Sequence, residues 1–243
     1  MARAAAASTP AGSGTDGVAA VTTRVHRTVL AVVLALAVAV VATACNPGHA
    51  TTTATDVWAA PTSASTARAQ LEKLTVAVED TGNHYNREAD WPHWDTARDA
   101  GRGCDIRDKV LQQQGHNIHT STDGSCTITG TWTSPYDGLN ATRTSQIQID
   151  HMVPLKEAAQ SGTRSWSRAD RERFANDTRF LVAASVHSNE QKSDGDPADW
   201  QPLLRTSWCT YAVLWITDKT TYHLTVDRAE KSALVSMLAT CTR

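Results

Sequence analysis

The chain has 243 residues, with 23 Lys plus Arg against 25 Asp plus Glu. Three of those bases and one acid precede Cys45, so from Cys45 onward 20 basic residues face 24 acidic ones, a net charge of −4 with histidines neutral. Nucleic-acid binders are usually basic, so this balance argues against a nucleic-acid role without excluding a local basic strip, and it predicts modest, salt-sensitive affinity.

In chain order, the first element is an export signal. Behind Arg24 and Arg27, Val29 to Val41 is a run of 13 apolar residues ending in Ala42-Thr43-Ala44-Cys45. It falls short of the ~20 residues of a membrane span and suits a signal h-region with small residues at the cleavage point, which assigns residues 1–44 to export. Two readings of Cys45 stay open. In one it resembles the cysteine of a bacterial lipobox, with Ala42 where leucine is more usual, and anchors the mature chain by lipid to the outer face of the cell membrane. In the other, cleavage is conventional and the protein is extracellular. Residues 45–66, rich in Thr, Ala, Ser and Pro, read as a flexible tether. The domain then occupies 67–243, roughly 175 residues and enough for one core. Leu71, Leu74 and Val78 predict a helix from Ala67 to Val78.

Setting Cys45 aside leaves Cys104, Cys126, Cys209 and Cys241, an even number that fits two disulfides in an oxidising compartment. Three pairings are open; neighbours in sequence are favoured, Cys104 with Cys126 and Cys209 with Cys241. Each would close a loop worth roughly 3 kcal/mol in the chain-entropy model. None belongs to a C-x-x-C pair, which disfavours a zinc site. Cys126 to Thr133 reads as a strand and Ser134 to Gly138 as a turn. Alternation of Gln146 and Gln148 with Ile147 and Ile149 predicts a strand that ends on Asp150-His151, with Pro154 stopping the ladder. Ser167 to Ala175 reads as a charged helix capped by Ser167, with Asp170 three residues on. Phe180 to Ala184 reads as a second buried strand, and Ser185 to Ser188 offers N-caps for a helix carrying Asn189 and Lys192. Tyr211 to Ile216 and Tyr222 to Val226 suggest a late hairpin-like pair. Asp227 then caps a closing helix, Arg228 to Ala239, with Ala233, Leu234, Met237 and Leu238 inward.

The order strand, Asp-His, excursion, strand, helix with Asn carries the chemistry. In sequence it is D-H-x-V-P-L at Asp150 to Leu155, F-A-N-D at Phe174 to Asp177, N-x-x-K-x-D at Asn189 to Asp194 and D-P-x-x-W at Asp196 to Trp200. This set resembles the HNH, or ββα-metal, endonucleases, and more narrowly the C-terminal nuclease domain of GmrSD-type restriction enzymes, from about Tyr85 to Cys241. The resemblance implies an α+β domain built around a ββα-metal core, with flanking helices and short strands. It places the family's H, N and last H on His151, Asn176 and Asn189, the last an Asn variant, and makes Asp150 the acidic metal ligand. It also implies a 5′ phosphate on the product.

The residue types support those roles. An imidazole of pKa near ~6.5 can take a proton from water at physiological pH, so His151 suits a general base. A carboxylate and an amide oxygen, Asp150 and Asn189, suit one hard cation, Mg²⁺ or Mn²⁺, better than zinc. Asn176 fits a brace for the His151 loop, or a plain helix cap. Lys192, Arg107 and Arg87 are candidates to meet a substrate phosphate, each with an equally good structural reading. Arg164, Arg168, Arg171, Arg173 and Arg179 could form a local basic strip. The six other histidines numbered from His84 onward show no ligand spacing, although His187 stands two residues before Asn189. The expected activity is metal-dependent hydrolysis of DNA, with RNA as a further substrate and little sequence specificity; no protein partner is implied. The alternative is a non-catalytic cell-envelope binding module on the same fold.

Overall fold

A computed structural model describes residues 58–82 and 85–241. The export signal, Cys45 and most of the predicted tether lie outside the described residues. Helix α1, Ala64–Lys73, is capped by Ser63 Oγ, which accepts from the Thr66 amide. It starts three residues before the predicted helix and stops sooner. Thr75, Val76 and Val78 are β-branched and favour extended backbone; Val76 bridges Val226, and Val78 is exposed rather than inward.

A short helix α2, Arg87–Asp90, precedes α3, Ile106–Gln114, which opens on an Asp105/Asp108 capping box. Strands β1 His116–Thr120, β2 Ile128–Thr133 and β3 Asn140–Ala141 form an antiparallel sheet in the order β1-β2-β3. The Trp132 indole on β2 donates to the Leu111 carbonyl of α3 at 2.8 Å, which locks the sheet to the helix. Cys104–Cys126 pins the start of α3 to the approach to β2, as expected from the pairing of sequence neighbours.

Strands β4, Ile147–His151, and β5, Leu181–Ser185, pair antiparallel with Asp150 opposite Val182 and His151 opposite Leu181. Directly opposed residues share a face. Ile147, Ile149, Leu181 and Ala183 therefore enter one apolar cluster with Val110, Leu111 and Trp132, while Val182 and Ala184 enter the other. Both faces of the hairpin are covered. Its free edge is satisfied by Gln114, whose amide accepts from Ala183 N at 2.8 Å and donates to Leu181 O at 2.7 Å. Between the strands run α4, Leu155–Gln160, and α5, Arg168–Ala175, the latter with the predicted Ser167/Asp170 capping box. Helix α6, Val186–Lys192, follows β5 without a loop because Ser185 ends the strand and caps the helix, accepting from Ser188 N. Asp137 of the turn after β2 receives both the Ser185 and Ser188 hydroxyls and fixes this junction.

Of the predicted hairpin-like pair, Tyr211 to Ile216 is helical and Tyr222 to Val226 is a turn and extended segment in which Val226 bridges Val76. Helix α7 runs Trp208–Thr221 and α8 runs Arg228–Leu238 with an Asp227/Glu230 capping box. Tyr211 to Ile216 are all buried, so the apolar run has no polar face to reveal a helical period, and its aromatic and β-branched residues mimic a strand. Helix α7 is the central rod of the second cluster, with α1 and α8 against it and Cys209–Cys241 joining its first turn to the segment after α8. The result is an α+β domain with two disulfides and a strand-strand-helix unit at its centre.

Candidate active site

The β4–β5–α6 unit sets the predicted residues around one strand end. An open cleft of about 200 Å³ is lined by Asp150 and His151 of β4, Lys156 of α4, Asn189 of α6, and Tyr85 and Asp194 from flanking loops. A larger cavity of about 470 Å³, between Gln114, Thr133 and Thr210, has no carboxylate in its lining. Size does not mark the chemistry here; the smaller cleft holds the acid, the imidazole and the amide together.

His151 is anchored at one nitrogen and open at the other. Its Nε2 lies 2.9 Å from the carbonyl of Ala175. A carbonyl only accepts, so Nε2 bears the hydrogen and Nδ1 keeps its lone pair. The indole of Trp94 stacks on the ring, centroids 5.2 Å apart and planes 12° from parallel. Burial pushes the imidazole down to about 4, opposed by the Ala175 bond and assisted by the charges of Lys192 and Arg87. The ring is half-buried by surface, since one edge meets the cleft. At neutral pH the side chain is an uncharged base.

Asn176 acts one step away from its expected place. Its Oδ1 accepts from Asp95 N at 2.9 Å, and its Nδ2 donates to Glu172 O at 3.1 Å. It therefore ties the segment carrying Trp94 to the end of α5, and the neighbouring Ala175 carbonyl holds His151. The cap reading describes this side chain, whereas the backbone it braces is that of Asp95 and not the loop carrying His151.

Asp150 faces inward, as its pairing with Val182 requires. Both carboxylate oxygens accept from the Lys192 ammonium, at 2.8 and 2.7 Å, and Oδ2 also accepts from the Tyr136 hydroxyl at 2.6 Å. The third Lys192 hydrogen goes to His151 O at 2.7 Å. Burial pushes the Asp150 carboxyl up and the Lys192 ammonium down, while the opposite charge of each restrains the other. Three oxygens around Nζ match an ammonium's three donors, so the pair is ionised. Lys192, predicted to meet substrate, has a fully buried side chain and no hydrogen left to offer. The sequence shows its spacing from Asn189 but not its depth.

Asn189 donates through Nδ2 to Gln148 Oε1 at 2.8 Å, which leaves Oδ1 as a free acceptor on the cleft. On the Asp150 carboxylate, Oδ1 has a single protein donor and a second lone pair. Carboxylate and amide oxygens are the donor types a magnesium-class cation prefers over zinc, and the Asp150 carboxylate, 5% exposed, is already held by Lys192 and Tyr136. The donor chemistry fits one such ion.

The remaining candidates are not in the cleft lining, although the charge of Arg87 is felt at His151. Arg87 donates to the Trp91 and Pro92 carbonyls at 3.2 and 3.0 Å. Arg107 donates to Thr144 O and pairs with Asp108. In the predicted basic strip, Arg164, Arg168, Arg173 and Arg179 each pair with a carboxylate and Arg171 donates to Thr163 O, so its charge is largely neutralised. His187 is exposed and outside the cleft lining. Sequence reading missed Trp94, Tyr136, Lys156 and the Ala175 carbonyl. Tyr136 sits in a turn signal that hid its inward side chain, and a backbone carbonyl leaves no mark on a sequence at all.

The comparisons with known proteins agree with this geometry. A protein of Arthroderma benhamiae named "Uncharacterized secreted protein" is 44% identical over 182 residues, covering 74% of this chain and 86% of its own length. No solved structure matches. The family model described as "GmrSD restriction endonucleases, C-terminal domain" matches residues 105–237, more than half of the chain, including Asp150, His151, Asn176, Asn189, Lys192 and Arg107. With a nuclease-type strand-strand-helix unit at its centre, this chain belongs to the family of GmrSD restriction endonuclease C-terminal domains.

Proposed function

We propose that this protein is an exported, HNH-type endonuclease that hydrolyses phosphodiester bonds of DNA, and also of RNA, with one divalent cation and little sequence specificity. The observation that carries the proposal is His151, anchored through Nε2–H to the Ala175 carbonyl and lining one cleft with Asn189 and Asp150, with Nδ1 left to act. In this reading Nδ1 takes the proton of the attacking water, and the Ala175 carbonyl and Trp94 keep the ring aimed. Asp150 and Asn189 would hold Mg²⁺ or Mn²⁺, whose charge stabilises the phosphoryl oxygens as they become more negative. Lys192 keeps the Asp150 carboxylate ionised and oriented. As the water oxygen bonds to phosphorus the P–O3′ bond breaks; the 3′ oxygen leaves as a hydroxyl after taking a proton from solvent, and the phosphate stays on the 5′ side of the product.

Export is supported by the apolar run at Val29 to Val41, by two disulfides and by the secreted description of the Arthroderma relative. Lipidation of Cys45 is the finer form of that proposal, checked by the mass of the mature N-terminal peptide. The nuclease reading is tested by nicking of supercoiled plasmid by the purified protein, disulfides intact. Nicking in Mg²⁺ or Mn²⁺ that stops in EDTA is expected, and Asn189→Ala should raise the metal concentration required. A folded protein inert on DNA and RNA with both metals would overturn it.

A further inference from the structure

A cleft that handles a phosphodiester needs a cation free to meet it. Of the residues favoured for that task by sequence, Lys192 is spent on Asp150 and His151 O, and neither Arg87 nor Arg107 lines the cleft. Among the residues lining the cleft, the permanent cation is Lys156. It stands in the first turn of α4, five positions after His151, where Pro154 starts the helix and fixes its direction. Its ammonium lies 2.7 Å from Asp194 Oδ2, and the two side chains are 42% and 48% exposed. The contrast with Lys192 is one of accessibility: a buried pair is locked by the cost of stranding either charge, whereas a half-exposed pair opens and exchanges partners cheaply.

We infer that Lys156 is the group that engages a backbone phosphate of the nucleic-acid substrate, and that Asp194 is its resting partner, displaced when the phosphate arrives. This rests on the nuclease reading above. Asp194 has two effects: it holds the lysine over the cleft when no substrate is present, and it adds a negative charge that the incoming polyanion must overcome. The acidic balance of the mature chain and the paired arginines of α5 then fit a protein in which one exchangeable ion pair, rather than a basic surface, admits the substrate.

The test is binding of a fluorescent duplex oligonucleotide by the full protein carrying His151→Ala, in Mg²⁺, between 50 and 200 mM salt as an order-of-magnitude range. Lys156→Ala in that background should weaken binding about tenfold and flatten the slope of log affinity against log salt by about 0.9, the value of one lost phosphate contact. Lys156→Arg should restore the slope, and Asp194→Asn should tighten binding a few-fold. Equal affinity and equal slope for Lys156→Ala, with the parent binding and the wild-type protein nicking plasmid, would overturn the inference and leave the nuclease reading standing. Asp194→Asn that weakens binding and raises the Mg²⁺ requirement would overturn the exchange by making Asp194 a cation ligand. A parent that binds no nucleic acid, together with an inert wild type, would end both.

Discussion

Lys192 and His151 show how burial, not residue type, assigns a side chain its task. Three residues after Asn189 on a short helix, Lys192 reads from sequence as a surface cation. In the fold it is the counter-ion of a buried carboxylate, and its hydrogens are used up on Asp150 and on the backbone of His151. Removing one partner of such a pair leaves a buried charge uncompensated. Lys192→Met should therefore cost about 3 to 5 kcal/mol in denaturant-induced unfolding; a loss below about 1 kcal/mol would show that Lys192 is not what keeps Asp150 charged. The Asp150-His151 pair and Asn189 were legible because acid, imidazole and amide at a strand-strand-helix junction have few other reasons to converge. Trp94 was not, since nothing in the chain marks which of eight tryptophans stacks on an imidazole.

Elements whose two faces differ in polarity were readable from their period. Strand β4 alternates, α5 and α8 carry capping boxes, and all three fall where the pattern places them. Helix α7 is buried all round and has no such contrast, so its type is set by packing with α1 and α8 rather than by its own sequence. The same packing creates a buried cluster in which Lys219 of α7 meets Glu157 of α4 at 2.6 Å and Glu230 of α8 at 2.7 Å. One ammonium serves two carboxylates. Burial pushes Glu230 up to about 7, with Glu157 adding to the rise and Lys219 opposing it. Its ordinary value is 4.5, so between there and about 7 the folded protein keeps a proton that the unfolded chain has released, and stability falls as pH rises through that window. Glu230→Gln mimics the protonated acid. Its stability relative to wild type should match near pH 4.5 and rise by roughly 2 to 3 kcal/mol by pH 8. Thermal unfolding across that range measures it; a difference that shrinks with pH would reverse the assignment.

At the scale of the whole molecule, two disulfides hold the peripheral ends to a small α+β frame. Cys104–Cys126 anchors α3, which through Gln114 closes the free edge of β5, and Cys209–Cys241 anchors the helical rod behind Asp150. Both pairings were legible because neighbouring cysteines close the shorter loops. Against the net negative charge of the chain, the cleft has one lysine in its lining, Lys156, and the proposed divalent cation adds to its charge.

The central claim is that His151 is the base of a hydrolytic centre. The most direct measurement is the single-turnover rate of plasmid nicking in saturating Mg²⁺ for wild type and His151→Ala, with near-ultraviolet circular dichroism confirming the same fold. Loss of a general base lowers a rate by about 10²- to 10⁴-fold, and a fall of that size is expected here. A folded His151→Ala protein that keeps more than about a tenth of the wild-type rate would contradict it, because removing a general base costs at least about 10²-fold.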